Sequence, residues 1–327
     1  MSRTDACLIF NPVAGQSDPE QDLAQIREIL EAEINLDIRF TTEEKGADEI
    51  AKEAIAQGAT KIIASGGDGT LSTAAAALVG TGIPLGIISR GTANAFAAAL
   101  ELPNTIEAAC QTILGGATRV VDAARCNNLP MVLLAGVGFE AETVKRADRE
   151  AKNRFGMLAY VMAGLQELRE MESFEAEIET EDKIITVSAV AVTVANAAPP
   201  TSILAQGPAG VVFDDGLLDV TVIAPVSRAG AIAASYHLLQ TALNENATQR
   251  EDIGYLRAKR VIVRTNPPQR VVLDGELIGE TPIDVECVPG GLTIFVPQEA
   301  APDTFMEKLE GLPNLKVESK PTSGFEE

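Results

Sequence analysis

The chain has 327 residues, enough for two domains each with its own core, and 46% of them are apolar with no uninterrupted run that could cross a membrane. Its 26 basic and 47 acidic residues leave a net charge of −21, which argues against a nucleic-acid partner because phosphate neutralisation needs clustered Lys and Arg. Four scattered cysteines (Cys7, Cys110, Cys126, Cys287) contain no C-x-x-C pair, so a reducing cytosol is expected rather than a zinc site or a disulfide framework.

Strands and helices alternate through the first part of the chain. Ala6–Phe10 reads as a strand, and its position leaves no room for a signal peptide ahead of it. There follow an amphipathic helix at 20–33, a strand at 36–40, a helix at 47–57 with Ile50 and Ile55 inward, and a strand at 61–65. An alanine-rich helix from Leu71 to Val79, a strand at 83–89, helices at 94–100 and 106–114 and a strand at 119–122 complete the series. Such alternation predicts βαβ units and a parallel sheet, with ligands bound beyond the carboxyl ends of the strands. Asn11-Pro12, the turn at Gly66 and the turn at Gly91 all fall at that rim.

Between the strand at 61–65 and its helix lies Gly66-Gly67-Asp68-Gly69-Thr70. A strand, a glycine turn and a helix start together build an anion site. The glycines admit close approach, and the N–H groups of the first helical turn point at the ligand. Asp68 would repel a phosphate there unless a magnesium ion bridged carboxylate and phosphate oxygens. A plain glycine-rich strand-to-helix turn is the other reading of these five residues.

From about Met131 the rhythm changes to short apolar runs broken by Pro, Gly, Asn and Asp, as in an antiparallel sandwich or barrel. The runs lie at 176–179, 183–195, 210–212, 217–223, 260–265, 270–273, 283–287 and 292–296, with helices at 157–171 and 228–243. Before the first of these helices, Lys145, Arg146, Arg149, Lys152 and Arg154 form a basic stretch. It reads either as a membrane-docking patch or as a solvated helix face, since repulsion from an anionic surface reaches only about one Debye length, ~8 Å. The expected fold is therefore an α/β domain with a parallel sheet over 1–125 and a mainly antiparallel β-sandwich over 126–298. The acidic tail, 299–327, is expected to hold one short helix at 304–310 and then a flexible end.

An ordered series of motifs resembles the diacylglycerol kinase catalytic-domain family of bacterial lipid kinases. It comprises Asn11-Pro12-Val13-Ala14-Gly15, Thr42-Glu43-Glu44-Lys45-Gly46, Gly66–Thr70, Pro84-Leu85-Gly86 and Gly91-Thr92-Ala93-Asn94. Gly136-Val137-Gly138-Phe139, Gly156–Tyr160, Asp215–Val220 and Asp274-Gly275-Glu276 continue it over about residues 6–298. The resemblance implies an ATP-dependent lipid kinase that moves the γ-phosphate to a lipid hydroxyl, with ATP and Mg2+ as cofactors. It implies a cytoplasmic protein in peripheral contact with the membrane surface where its lipid lies; a homodimer is left open. The Walker loop is absent, so the implied phosphate cradle is the backbone of Gly66, Gly67, Gly69 and Thr70, helped by Asn11 and the hydroxyls of Thr42 and Thr92. Asp68 would hold the catalytic Mg2+. Asp274 would take the proton of the lipid hydroxyl, with Glu276 orienting or assisting. A second Mg2+ is implied on the side chain of Asp215 and the carbonyls of Val212 and Leu217.

Each motif also has a plainer reading. Asn11-Pro12 initiates turns, Thr92 or Asn94 caps the next helix, Asp274-Gly275 makes a hairpin and Asp215-Gly216 turns between strands. Three departures from the family pattern stand out: Ser89 where Pro is frequent, Ala95 where a polar residue commonly follows Asn, and Glu140 in place of Asp. The alternatives are an NAD kinase-like enzyme with a soluble substrate, or a non-catalytic nucleotide- or lipid-binding homologue.

Overall fold

Residue alternation in the first strand decides how the N-terminal half is layered. In the computed structural model, which describes residues 4–15, 17–138, 173–199, 202, 205, 211–224, 253–298 and 316–319, β1 spans Thr4–Phe10. Ala6, Leu8 and Phe10 pack on one face with helices α1 (Pro19–Leu30) and α5 (Ile106–Gly115). Cys7 and Ile9 pack on the other with α2 (Ala47–Ala56) and α3 (Asp68–Leu78). Both faces are covered, as a parallel sheet requires.

Strand β1 lies between β2 (Ile34–Phe40) and β3 (Lys61–Gly66), with β4 (Leu85–Ser89) beyond β3, all parallel. The order 2-1-3-4 reverses direction between β1 and β3, which places the ligand crevice of such sheets at the exits of these two strands. The helix expected from Leu71 begins at Asp68, so this carboxylate belongs to the first turn and not to the preceding loop. Helix α4 (Ala95–Ala99) follows β4.

The C-terminal half is a sandwich of two sheets. Its second sheet has the order β12-β11-β10-β7-β14-β15 and comprises Ile253–Ala258, Leu218–Ile223, Ala191–Ala195, Leu134–Gly138, Arg270–Leu273 and Glu276–Glu280 respectively. The facing layer contains β8 (Phe174–Glu179), β9 (Lys183–Ala189), β13 (Arg260–Asn266), β16 (Ile283–Phe295) and β5 (Thr118–Cys126), which also pairs with β6 (Leu129–Met131). Ile178, Ile185 and Val285 from this layer share one core with Val194, Val220 and Leu256 from the other.

The two halves are joined by a shared sheet. β16 pairs with β13 over Ile283–Glu286, meets β4 at Ile294, and runs beside β5 along its other edge. One 11-stranded sheet thus passes from the parallel half into the sandwich.

Several elements differ from the sequence-based expectation. The run 183–195 is two strands that enter different sheets, β9 pairing with β8 and β10 with β7 and β11. Its inward residues are Ile185, Val187 and Ala189, then Val192 and Val194, and this change of parity at Val190 marks the corner. The runs at 283–287 and 292–296 are one strand interrupted by a bulge between Val288 and Leu292. Val211 and Val212 lie outside any strand. The tail is not simply a loose end, because β17 (Lys316–Ser319) pairs antiparallel with β9. The helices expected at 157–171, 228–243 and 304–310, the basic stretch at 145–154 and Glu140 lie outside the described residues. Among the described residues no helix is long and apolar enough to cross a membrane. All four cysteines are free and buried, with burial pushing the Cys110 and Cys287 thiols up to about 12.

Candidate active site

Close contacts at Gly66 and Gly91 leave no room for a side chain at either position. A Cβ on Gly66 would stand 2.8 Å from the Thr70 side chain, and one on Gly91 would come within 2.9 Å of the Gly67 Cα. The turns after β3 and β4 therefore touch backbone to backbone. Gly67 is the N-cap of α3 and supplies no side-chain bond, while the first intrahelical bond runs from Leu71 N–H to Gly67 O. The amides of Asp68, Gly69 and Thr70 consequently lack intrahelical acceptors and are free for an anion. A Cβ on Gly69 would meet nothing within 4 Å, so the turn is open on that side.

Asn11 joins the third turn to these two. Its N–H donates to Ser65 O at 2.9 Å and its Nδ2 to Thr70 Oγ1 at 2.8 Å, while its Oδ1 accepts the Val13 N–H at 3.1 Å. The side chain is thus engaged in holding the loop against the start of α3. Thr42 Oγ1 accepts the amides of Glu44 and Lys45 at 3.3 and 3.1 Å and closes its own turn. Thr92 is exposed.

Asp68 has a role that its motif does not announce. Its Oδ1 accepts the Phe96 N–H at 3.0 Å and so satisfies an orphan amide at the start of α4. Neither Thr92 nor Asn94 does this: Asn94 is the N-cap residue, but it adopts φ 50° and makes no side-chain cap bond. Ala95 has no polar side-chain group to compete for the Asp68 carboxylate. Among the described residues no hydrogen bond falls on the second Asp68 oxygen, which suits one contact to a divalent cation whose other ligands are phosphate and water. No three His, Cys, Asp or Glu side chains converge among the described residues, so any such cation would depend on the nucleotide's oxygens.

Asp274 and Gly275 both have positive φ, 48° and 92°, and connect β14 to β15 as the two central residues of a tight hairpin. The plainer reading of this dipeptide therefore holds for the backbone. The Asp274 carboxylate is turned onto the segment before β7: Oδ2 accepts Val132 N–H at 2.9 Å, and Oδ1 accepts Leu133 and Leu134 N–H at 2.9 and 3.0 Å. Burial pushes its pKa up to about 6, against the lowering effect of the three amides, with the Glu276 charge adding to the rise. Glu276 itself is exposed on β15. The amide donors anchoring the two carboxylates belong to Phe96 on one side and Val132 and Leu133 on the other, and all three side chains pack in a single apolar core.

The second acidic turn is built differently. Asp215 Oδ1 accepts the Leu217 N–H at 3.1 Å and Oδ2 accepts Arg257 Nη1 at 3.0 Å. Val212 and Leu217 flank this turn as expected, but a guanidinium already balances the carboxylate, and a second cation beside it would be repelled. The donor set does not fit a resident metal ion, and no chemical step is assigned to one. Asp122 fixes the turn from below, its buried carboxylate accepting Gly216 N–H at 2.6 Å and Gly290 N–H at 2.7 Å.

Sequence reasoning missed Arg90, Asp22, Asp122 and Arg257. A lone cation closing the apolar run of β4 was the available signal for Arg90. The strand alternation gave none for Arg257, which stands opposite Asp219 in the β11–β12 register. Asp219 in turn accepts a short hydrogen bond from the buried Tyr255 hydroxyl.

A parallel sheet with a glycine-walled anion cradle is joined through a shared strand to an antiparallel sandwich that carries the Asp274 hairpin. The diacylglycerol kinase catalytic domain profile matches residues 5–126, and the YegS C-terminal NAD kinase beta sandwich-like domain profile matches residues 134–296. The chain is 30% identical over 308 residues to a "probable lipid kinase YegS-like" protein of Xanthomonas oryzae, covering 89% of this chain and 96% of the relative. It is 29% identical over 302 residues to the diacylglycerol kinase of Bacillus subtilis, covering 90% and 97% respectively. An uncharacterized protein of Synechocystis shares 52% identity over 303 residues, 89% of this chain and 70% of that one. A crystal structure of a diacylglycerol kinase from Bacillus anthracis superposes with a TM-score of 0.72 at 25% identity, covering 92% of this chain and all of the other. The protein belongs to the diacylglycerol kinase catalytic-domain family, with a YegS-type C-terminal domain.

Proposed function

We propose that the protein is an ATP-dependent lipid kinase that phosphorylates the hydroxyl of a diacylglycerol-like or related lipid. The carrying observation is the meeting of three rim turns at the β1/β3 switch point, where Asn11 binds Thr70, Gly67 touches Gly91 and three helical amides are unspent. Membership of a family whose relatives are named lipid kinases supports the substrate class.

The backbone of Gly66, Gly67, Gly69 and Thr70 binds the phosphate chain, and Asn11 holds the cradle closed. Thr42 and Thr92 border the same rim, with Thr92 free to reach a ligand. When bound, the nucleotide's magnesium ion screens the charge of the transferring phosphoryl group, and Asp68 offers it an oxygen. As the lipid oxygen bonds to the γ-phosphorus, the bond from that phosphorus to the β–γ bridging oxygen breaks and ADP leaves. Asp274 accepts the hydroxyl proton during this step. With a pKa near 6 it is ionised at neutral pH and yet more basic than an ordinary carboxylate. Glu276 contributes by raising that basicity through its charge.

The test is transfer of label from γ-labelled ATP to fractionated lipids, with mass spectrometry of the product and NAD as a control acceptor. A phosphorylated lipid is expected. Label on NAD alone, or on no acceptor, would overturn the proposal.

A further inference from the structure

Arg90 follows the last residue of β4 and touches all three rim turns. Its backbone N–H donates to Gly66 O at 2.7 Å, and its carbonyl oxygen stands 2.7 Å from where a Cβ on Gly15 would be. Its side chain is only 2% exposed. Nη2 donates to the carbonyl oxygens of Asn11 and Ala14, both at 2.9 Å, and the guanidinium lies 4.0 Å from the centre of the Phe10 ring. Nε approaches Asp22 Oδ2 at 3.4 Å, and the same oxygen accepts Ser17 Oγ at 2.6 Å. Nη1 is buried and, among the described residues, has no hydrogen-bond partner.

A buried guanidinium with an unspent donor is a poor way to hold a fold together. Desolvation opposes the charge, and an apolar side chain of similar volume would pack the site at least as well. What the arginine provides is specific to the turn above it. Two carbonyl oxygens of the Asn11–Gly15 loop would repel a phosphate if they stood free at the rim. They are drawn onto a cation instead. The same bonds fix Asn11, whose side chain reaches Thr70 on the first turn of α3. A chain of contacts therefore runs from Ser17 through Asp22, Arg90 and Asn11 to Thr70.

We infer that Arg90 is a positioning residue for the nucleotide's phosphate chain: from beneath the Asn11–Gly15 loop it orients the loop's carbonyls away from the cleft and adds positive potential behind it. Asp22 holds the guanidinium in register. This inference rests on the kinase reading above.

The experiment compares Arg90→Met, Arg90→Lys and Asp22→Asn with the wild-type protein. Binding of AMP, ADP and ATP, each with Mg2+, is measured by calorimetry without lipid. KM for ATP, KM for lipid and kcat are measured separately, and thermal unfolding checks the fold. In Arg90→Met the thioether still covers Phe10, so the fold should survive. Its ATP affinity should fall about tenfold or more, the loss should grow from AMP to ATP, and KM for lipid should change less than about twofold. Arg90→Lys should recover part of the affinity and Asp22→Asn should lose a few-fold. A merely structural arginine would lower the melting temperature without splitting the two KM values. A folded Arg90→Met protein with wild-type ATP affinity overturns the inference; should that variant not fold, wild-type affinity in both other variants does so. A wild-type protein that binds no nucleotide would overturn the kinase reading along with it, a pattern distinct from the others.

Discussion

The two Asp-Gly turns of the C-terminal half look alike in the sequence and are opposite in electrostatic construction. Asp215 is neutralised by a formal charge, the Arg257 guanidinium at 3.0 Å. Asp274 has three backbone amides and, among the described residues, no side-chain cation as hydrogen-bond partners. Dipoles hold a carboxylate in place without cancelling its charge, so burial still raises its proton affinity. An ion pair instead sets a full opposite charge against the carboxylate and fixes it to one side chain. The first construction suits proton transfer near neutral pH, and the second suits a fixed joint.

Removing the carboxylate charge breaks this contrast most sharply. Asp274→Asn should lower kcat by about 10²–10⁴-fold with lipid and ATP, the range general-base catalysis spans. It should also destabilise the protein by roughly 1–3 kcal/mol, because an amide has one acceptor oxygen for three N–H donors. Full turnover in a folded variant would remove Asp274 from the chemistry. The rim carboxylate comes next. Asp68→Ala should abolish transfer and cost about 0.5–2 kcal/mol through the lost cap on α4. Asp68→Asn keeps an oxygen for Phe96 N–H, so it should retain most of the stability and still lose activity. If both variants are equally inactive and equally unstable, capping alone explains the residue.

A pH profile sharpens the comparison further. kcat should fall about tenfold per unit below the Asp274 pKa of about 6, since the base must be ionised. The stability sign is opposite. The folded pKa lies above the ordinary aspartate value of about 3.8, so the native state holds this proton more tightly, and its contribution to stability declines as pH rises from about 4 to about 6. Denaturant titrations of wild type and Asp274→Asn across this window should differ by this downward component, present only in the former. The paired turn should respond in stability alone, with no direct effect on transfer. Arg257→Met should destabilise by roughly 1–3 kcal/mol, less than for a fully buried pair because both side chains keep some exposure. Millimolar Mg2+ should then raise the melting temperature of the variant more than that of the wild type.

Much of the fold was legible because strands buried on both faces and helices of regular length leave distinct patterns. The strands at 61–65 and 83–89 and the glycine turns after them are where the alternation places them. The corner at Val190 was not, because alanine and valine occupy both parities there and only packing distinguishes them. At the site, Gly66–Thr70 could be read from local chemistry. The capping of Phe96 by Asp68 spans 28 positions, and the hold of Val132–Leu134 on Asp274 about 140. Contacts at such separations leave no periodic trace in a single chain.

Because β16 belongs to both halves, they cannot part like jaws on a flexible linker. Any motion that admits a bulky acceptor must either bend that strand or slide its neighbours along it. The bulge between Val288 and Leu292, where the ladder with β5 is already interrupted and Gly290 N–H is held by Asp122, is the place of least resistance. The joint between the halves is thereby a stiff spring rather than a free hinge, and its deflection would be small.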